Sequence, residues 1–112
     1  MSRMARCLVC SHRYCEVVFV YVMLDRDQGD VKIGLSNNPT RRVGELRKSR
    51  GTDIRLVTKR AVGCRYTAPK VESAVQHRVG IEYNTIGDWF AVSKEVAVAA
   101  LCAESPTEWV MP

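Results

Sequence analysis

Apolar residues run through "EVVFVYVML" with only Tyr21 breaking the line. Residues 17–24 therefore read as a strand with apolar side chains on both faces, which places it inside a sheet rather than at its rim. The polar, glycine-containing "DRDQGD" turns the chain back into a second strand over 31–35. There Val31, Ile33 and Leu35 alternate with Lys32 and Gly34. In a bulge-free antiparallel hairpin, Tyr21 and Lys32 share a face only if the loop holds an even number of residues. "DRDQ" and "DRDQGD" satisfy that condition, and "DRDQG" does not.

Next, "SNNP" has the form of a helix entry, with Asn37 or Asn38 capping and Pro39 in the first turn. The helix is expected to run to about Ser49 and stop near Gly51. Val43 and Leu46 face inward, Arg42 flanks that face, and Arg41 points away from it. "IRLVTKRA" (54–61) alternates as a third strand, with Ile54 and Leu56 on one side and Arg55, Val57 and Lys59 on the other. "TAPKVESAVQHRV" predicts a second helix opening near Pro69, with Val71, Ala74, Val75 and Val79 inward, Glu72 at the margin and His77 nearly opposite Val75. "GDWFAVS" reads as a turn and a short extended piece whose Trp89 and Phe90 anchor the core. "SKEVAVAALCA" predicts a last helix capped by Ser93, with Val96, Ala99 and Ala100 inward. The class is α+β.

Length and charge narrow this further. The 112 residues fit one core. The expected division is a basic, Cys-rich arm (1–16), a folded domain (17–103) and a tail (104–112). Seventeen Lys and Arg against twelve Asp and Glu give +5. The cations gather in "RRVGELRKSR" and "TKRAVGCRY", making Arg41, Arg47, Lys48, Arg50, Lys59 and Arg65 candidate nucleic-acid contacts against the plainer reading of a solvated basic face. No stretch approaches the roughly 18 apolar residues of a membrane span. "SHRYCE" interrupts any leader-like apolar core, and five cysteines form an odd set, so a reducing cytoplasmic setting is expected. In "CLVCSHRYC", Cys7, Cys10, His12 and Cys15 are candidate Zn²⁺ ligands, but their crowding into nine residues favours free thiols.

Tyr21, Lys32, Arg42 and Glu72 fall at the margins of otherwise apolar elements. Phosphodiester hydrolysis needs such a set: a group that orients or deprotonates water, a carboxylate for a divalent metal, and cations for the charge building on phosphorus. Taken singly, each has a plainer reading: a core tyrosine, a surface lysine, an arginine paired with Glu45 or Glu16, and an acid near a helix start.

"FVYVMLDRDQGDVKIGLSNNPTRRV" resembles the signature of the GIY-YIG endonuclease superfamily, with "FVY" and "KIG" at the two tripeptides and Arg42 at the arginine. Glu72 in "APKVESAV" falls at its metal-binding glutamate, and "GDWF" is similar to the ending of a small stand-alone branch. Phe19 stands where the first tripeptide has glycine. The histidine expected one turn after the glutamate falls on Gln76, leaving the adjacent His77 as the candidate. The resemblance implies a three-stranded antiparallel sheet flanked by helices and Mg²⁺-dependent (or Mn²⁺-dependent) endonucleolytic cleavage of DNA. By the same implication, Tyr21 is the base or water-orienting phenol, Arg42 binds the scissile phosphate and Glu72 holds the metal. Lys32, in place of a tyrosine, tunes the phenol or binds phosphate. With no separate DNA-reading domain in view, weak sequence preference is expected, with targeting through self-association or a protein partner. The competing expectation is a nucleic-acid-binding module that keeps the fold without cutting.

Overall fold

The structure, a computed structural model, describes residues 17–62 and 65–104. The candidate zinc ligands Cys7, Cys10, His12 and Cys15 lie outside them. β1 (Phe19–Asp25) and β2 (Val31–Ser36) form the central hairpin, followed by α1 (Pro39–Arg50) and β3 (Ile54–Ala61). After α2 (Ala68–Val79) come a 3-10 turn (Ile81–Tyr83), the short β4 (Asn84–Ile86) and β5 (Trp89–Phe90), and finally α3 (Lys94–Ala103).

The sheet has five strands in the order β3-β1-β2-β5-β4, each antiparallel to its neighbours. This corrects the expected three-stranded sheet. The two additional strands come from the segment read as a turn and a short extended piece. They are three and two residues long, too short to show a period of two.

Leu24 pairs with Val31, so the hairpin loop is the six-residue "DRDQGD", and Tyr21 (opposite Gly34) shares a face with Lys32 (opposite Met23). One row of cross-strand partners, Leu56–Met23–Lys32–Trp89–Ile86, traverses the whole sheet. A register shift between Val22 and Met23 sets Leu56 opposite Met23 and Thr58 opposite Val22, leaving Val57 as the extra residue of a bulge. The strict alternation expected for β3 is corrected here: Lys59 comes opposite Tyr21, onto the face of Leu56.

Two cores lie on the two faces. Val43 and Leu46 of α1 cover Tyr21, Met23, Ile54 and Trp89. On the other face, Val20, Val22, Val31, Ile33 and Phe90 pack against Val71, Val75 and Val79 of α2 and Ala97, Ala100 and Leu101 of α3. α3 is rotated from its expected phase, since Val96 is 47% exposed and Ala99 is also outside. "VAVAALCA" is apolar almost all round and carries no polar stripe to fix its rotation. The caps follow the local rules: Asn38 accepts from the N–H of Arg41, Gly51 ends α1 at φ 71°, and Ser93 accepts from the N–H of Val96. Arg60 donates to the carbonyls of Leu101 and Cys102, placing a cation at the negative end of α3.

Gly34 carries a packing constraint that its neighbours cannot share. A Cβ there would meet Tyr21 Oη at 2.5 Å and Cζ at 2.8 Å, so the phenol lies directly across the β2 backbone. Gly34→Ala is expected to force the ring aside and cost about 1–3 kcal/mol, the usual range for overpacking. A thermal melt lowered accordingly, with altered Tyr21 fluorescence, checks this; an unchanged melt contradicts it.

Candidate active site

β5 pairs with β2 only at Val31 and Lys32, and one further bond joins the Ile33 N–H to the Asp88 carbonyl. Past that point the outer edge of β2 has no strand beside it among the described residues. α2, which packs beneath the sheet, therefore reaches around the edge with Glu72, while α1 approaches from above with Arg42. Tyr21, lying over Gly34, points its hydroxyl to the same place. The result is a cavity of about 380 Å³ lined by Tyr21, Lys32, Gly34, Leu35, Arg42, Pro69, Glu72 and Asp88.

The sequence-based candidates Tyr21, Lys32, Arg42 and Glu72 thus converge. His77 does not: it is exposed, and its ring Nδ1 lies 2.9 Å from the Ser73 carbonyl, one turn back on its own helix. Gln76 occupies the helix side that faces β2. Its amide donates to the Ile33 carbonyl (2.9 Å) and to Asp88 Oδ1 (3.1 Å). Asp88 is the site residue that sequence reading missed. The available signal was an acid directly before the core-anchoring Trp89 and Phe90, where a turn ending in buried aromatics fixes the preceding side chain.

Electrostatics differ sharply from those of a solvated surface. Lys32 is only 8% exposed, and its ammonium sits 3.6 Å from Asp88 Oδ2. Burial pulls its pKa below the ordinary lysine range, Asp88 opposes that pull, and Arg42 adds to it. Burial raises the pKa of the Tyr21 phenol, against the lowering influence of the adjacent Arg42 guanidinium. At neutral pH the resting group is therefore a phenol and not a phenolate. Burial pushes the Glu72 carboxyl up to about 7; the negative charge of Asp88 raises it further, and Lys32 opposes. No hydrogen bond or ion pair to Glu72 exists among the described residues. Arg42 rests 3.2 Å from Glu45 on its own helix, half-exposed at the mouth of the pocket.

The basic residues proposed from charge alone sort into two groups. Arg50 is committed to the fold: it pairs with Asp25 (2.8 Å) and Asp30 (2.9 Å) and stacks 3.7 Å from the Trp89 ring, so its guanidinium already has partners within the chain. Arg47 is also partly spent, its Nε donating to the Ile54 carbonyl at 2.7 Å. Arg41, Lys48 and Arg65 are exposed, Arg65 lying against the Tyr66 ring. Lys59 lies over the Phe19 ring on the Tyr21 side of the sheet.

Among the described residues, no cluster of three or more His, Cys, Asp or Glu forms a ready-made metal cage, and no helix is long and apolar enough to cross a membrane. No curated protein and no solved structure matches the chain. The family model that does match is the T5orf172 domain, over residues 18–103, and no model of the GIY-YIG superfamily matches. The assignment read from the two tripeptides is corrected accordingly. T5orf172 domains are a nuclease-like, DNA-binding family. Matched over most of its length, the chain belongs to the T5orf172 domain family.

Proposed function

We propose that the chain is a divalent-metal-dependent DNA endonuclease of weak sequence preference, acting at the pocket beside β2. The observation that carries this reading is the convergence of a buried phenol, a buried lysine, an arginine and two carboxylates from β1, β2, α1, α2 and the start of β5. That set offers a group for each of the three demands of phosphodiester hydrolysis: Tyr21 for the water, Glu72 for the metal, and Lys32 and Arg42 for the charge on phosphorus, with Asp88 holding Lys32.

The donor set suits Mg²⁺ or Mn²⁺ in particular. Mg²⁺ keeps several waters and is commonly held by one or two carboxylates together with substrate phosphate oxygens. Glu72, unpartnered and half-buried with Asp88 across the same pocket, is the carboxylate that a hard cation would satisfy. When bound, the ion supplies charge neutralisation at the phosphate and the leaving oxygen. Arg42 swings from Glu45 to the phosphate, gaining a bidentate anion in place of an exposed partner. Tyr21, held as a phenol by burial, orients the attacking water through its hydroxyl. The positive charge of Arg42 beside the hydroxyl works against burial and eases loss of the phenol proton. Lys32, fixed by Asp88, stabilises charge on the non-bridging oxygens. The exposed Arg41, Lys48 and Arg65 extend the positive field along the DNA backbone without reading bases.

Nicking of supercoiled plasmid with Mg²⁺ or Mn²⁺, stopped by EDTA, is the expected activity. Glu72→Gln should abolish it, and Arg42→Ala should lower it by about 10²–10³-fold, the typical loss for a transition-state donor. Both variants should keep the wild-type melt. Full activity in either variant, or DNA binding without any cutting by the wild type, refutes the reading.

The pH dependence follows from Glu72. A carboxyl titrating near 7 must lose its proton before it takes a cation, so Mn²⁺ affinity should weaken by about tenfold per pH unit below 7. Because Asp88 contributes to that elevation, Asp88→Asn should move the midpoint to lower pH. Calorimetric titration with Mn²⁺ between pH 5 and 8 measures both effects, and a flat profile or an unmoved midpoint contradicts them.

A further inference from the structure

The turn between β4 and β5 places an apolar side chain where the sheet gives it nothing to cover. Ile86 pairs with Trp89, and Trp89 pairs with Lys32, so Ile86 ends the row that passes through Lys32, on the same face. Two inter-strand spacings separate them, about 10 Å. Ile86 is also two residues from Asp88, which lines the pocket. Yet it is 67% exposed, the highest value among the large apolar side chains of the described residues.

Floppiness does not account for that exposure, because the turn is held from within. The Asn84 side chain donates to the carbonyls of Gly87 (2.8 Å) and Trp89 (3.1 Å), and the Thr85 hydroxyl donates to Trp89 as well (3.2 Å). Gly87 takes the left-handed φ of 55° that the tight turn requires. Trp89 beneath is locked by Arg50. Ile86 is therefore a rigid apolar point on a braced hairpin.

Two facts select its occupant. Residues 80–93 contain no Lys, Arg or His, so this hairpin cannot grip phosphates, while the adjoining pocket holds Lys32 and Arg42, which can. At about 10 Å from a bound phosphate, beyond the sugar attached to it, the broad apolar surfaces of DNA are base faces. β4 itself is only three residues long, too short an edge to recruit a second copy by strand addition. We propose that the β4–β5 hairpin is a base-unstacking wedge: with a phosphate seated against Lys32 and Arg42, Ile86 enters the stack beside the cleaved bond. The substrate class is then paired duplex DNA, which the hairpin itself opens at the cut; a bubble, mismatch or nick is already unstacked, saves that cost and is cut without need of Ile86. This rests on the nuclease reading above and specifies its substrate.

The test compares cleavage of a fully paired duplex and the same sequence with a short central bubble, by wild type and Ile86→Ser. Wild type is expected to cut the bubble at least tenfold faster, measured as kcat/KM. Ile86→Ser should lose a further tenfold or more on the paired duplex while staying within twofold on the bubble, which needs no wedge. A 2-aminopurine placed beside the cut should brighten when wild type binds the paired duplex and stay dark with Ile86→Ser. Equal losses on both substrates, no loss on either, or no fluorescence change with wild type overturns the wedge while leaving cleavage intact. Failure of wild type to cut either DNA overturns the nuclease reading, and the wedge falls with it.

Discussion

Arg50 is the residue on which the site geometry depends. Its guanidinium lies 3.7 Å from the Trp89 ring and pairs at once with the fully buried Asp25 and with Asp30. Asp25 also takes bonds from the Thr52 hydroxyl and from the backbone N–H groups of Asp27 and Gln28. Burial alone would push the Asp25 carboxyl up, but these donors and Arg50 together hold it below the usual carboxylate range. One side chain thus joins the end of α1, the β1–β2 turn and β5. A partly buried guanidinium stacked on tryptophan contributes on the order of 1 kcal/mol. Removing it would also leave a buried carboxylate short of its cation, the costlier half of the loss.

β5 needs that support because it has little of its own. Two residues of pairing cannot hold a strand in place, and Trp89 is the part of it that α1 and Arg50 can grip. With Trp89 fixed, Asp88 is delivered to Lys32 and Gln76, and the turn beyond carries Ile86. The fold and the chemistry are coupled here: an ion-pair network on the side away from the pocket sets the position of the acid inside it. That acid in turn opposes the fall in the pKa of a buried lysine and makes a neighbouring glutamate reluctant to ionise.

Local rules were legible in the sequence, and long-range pairings were not. Asn38, Pro39 and Gly51 delimit α1 because caps depend on a few adjacent residues. The hairpin parity that brings Tyr21 and Lys32 to one face stayed open in the sequence, because loop length depends on which cross-strand pair forms first, and the pairing of Leu24 with Val31 settles it. Tyr21, Lys32, Arg42 and Glu72 were singled out together by their places in the quoted motifs, since each residue type alone is common, and the fold gathers them around one pocket. The structural role of Arg50 was hidden because a run of cations does not reveal acids 20 and 25 residues upstream. Asp88 went unread, as did β4 and β5, because their meaning lies in partners that only the tertiary fold supplies. The bulge at Val57, which moves Lys59 to the Tyr21 face, is likewise invisible to an alternation count.

Interrupted pairing is what makes the pocket possible at all. Were β5 long enough to cover the outer edge of β2 to Ser36, its backbone would fill the gap through which Glu72 reaches from beneath and Arg42 from above. The Ile33 carbonyl, left without a strand partner there, is satisfied by Gln76, so the edge stays open without an orphaned acceptor. Gly34 completes the arrangement by leaving the strand thin enough for the phenol to cross it. A sheet edge is ordinarily a hazard to be covered. This chain covers two residues of it with a strand and one carbonyl with an amide, and the uncovered remainder lets groups from both layers meet.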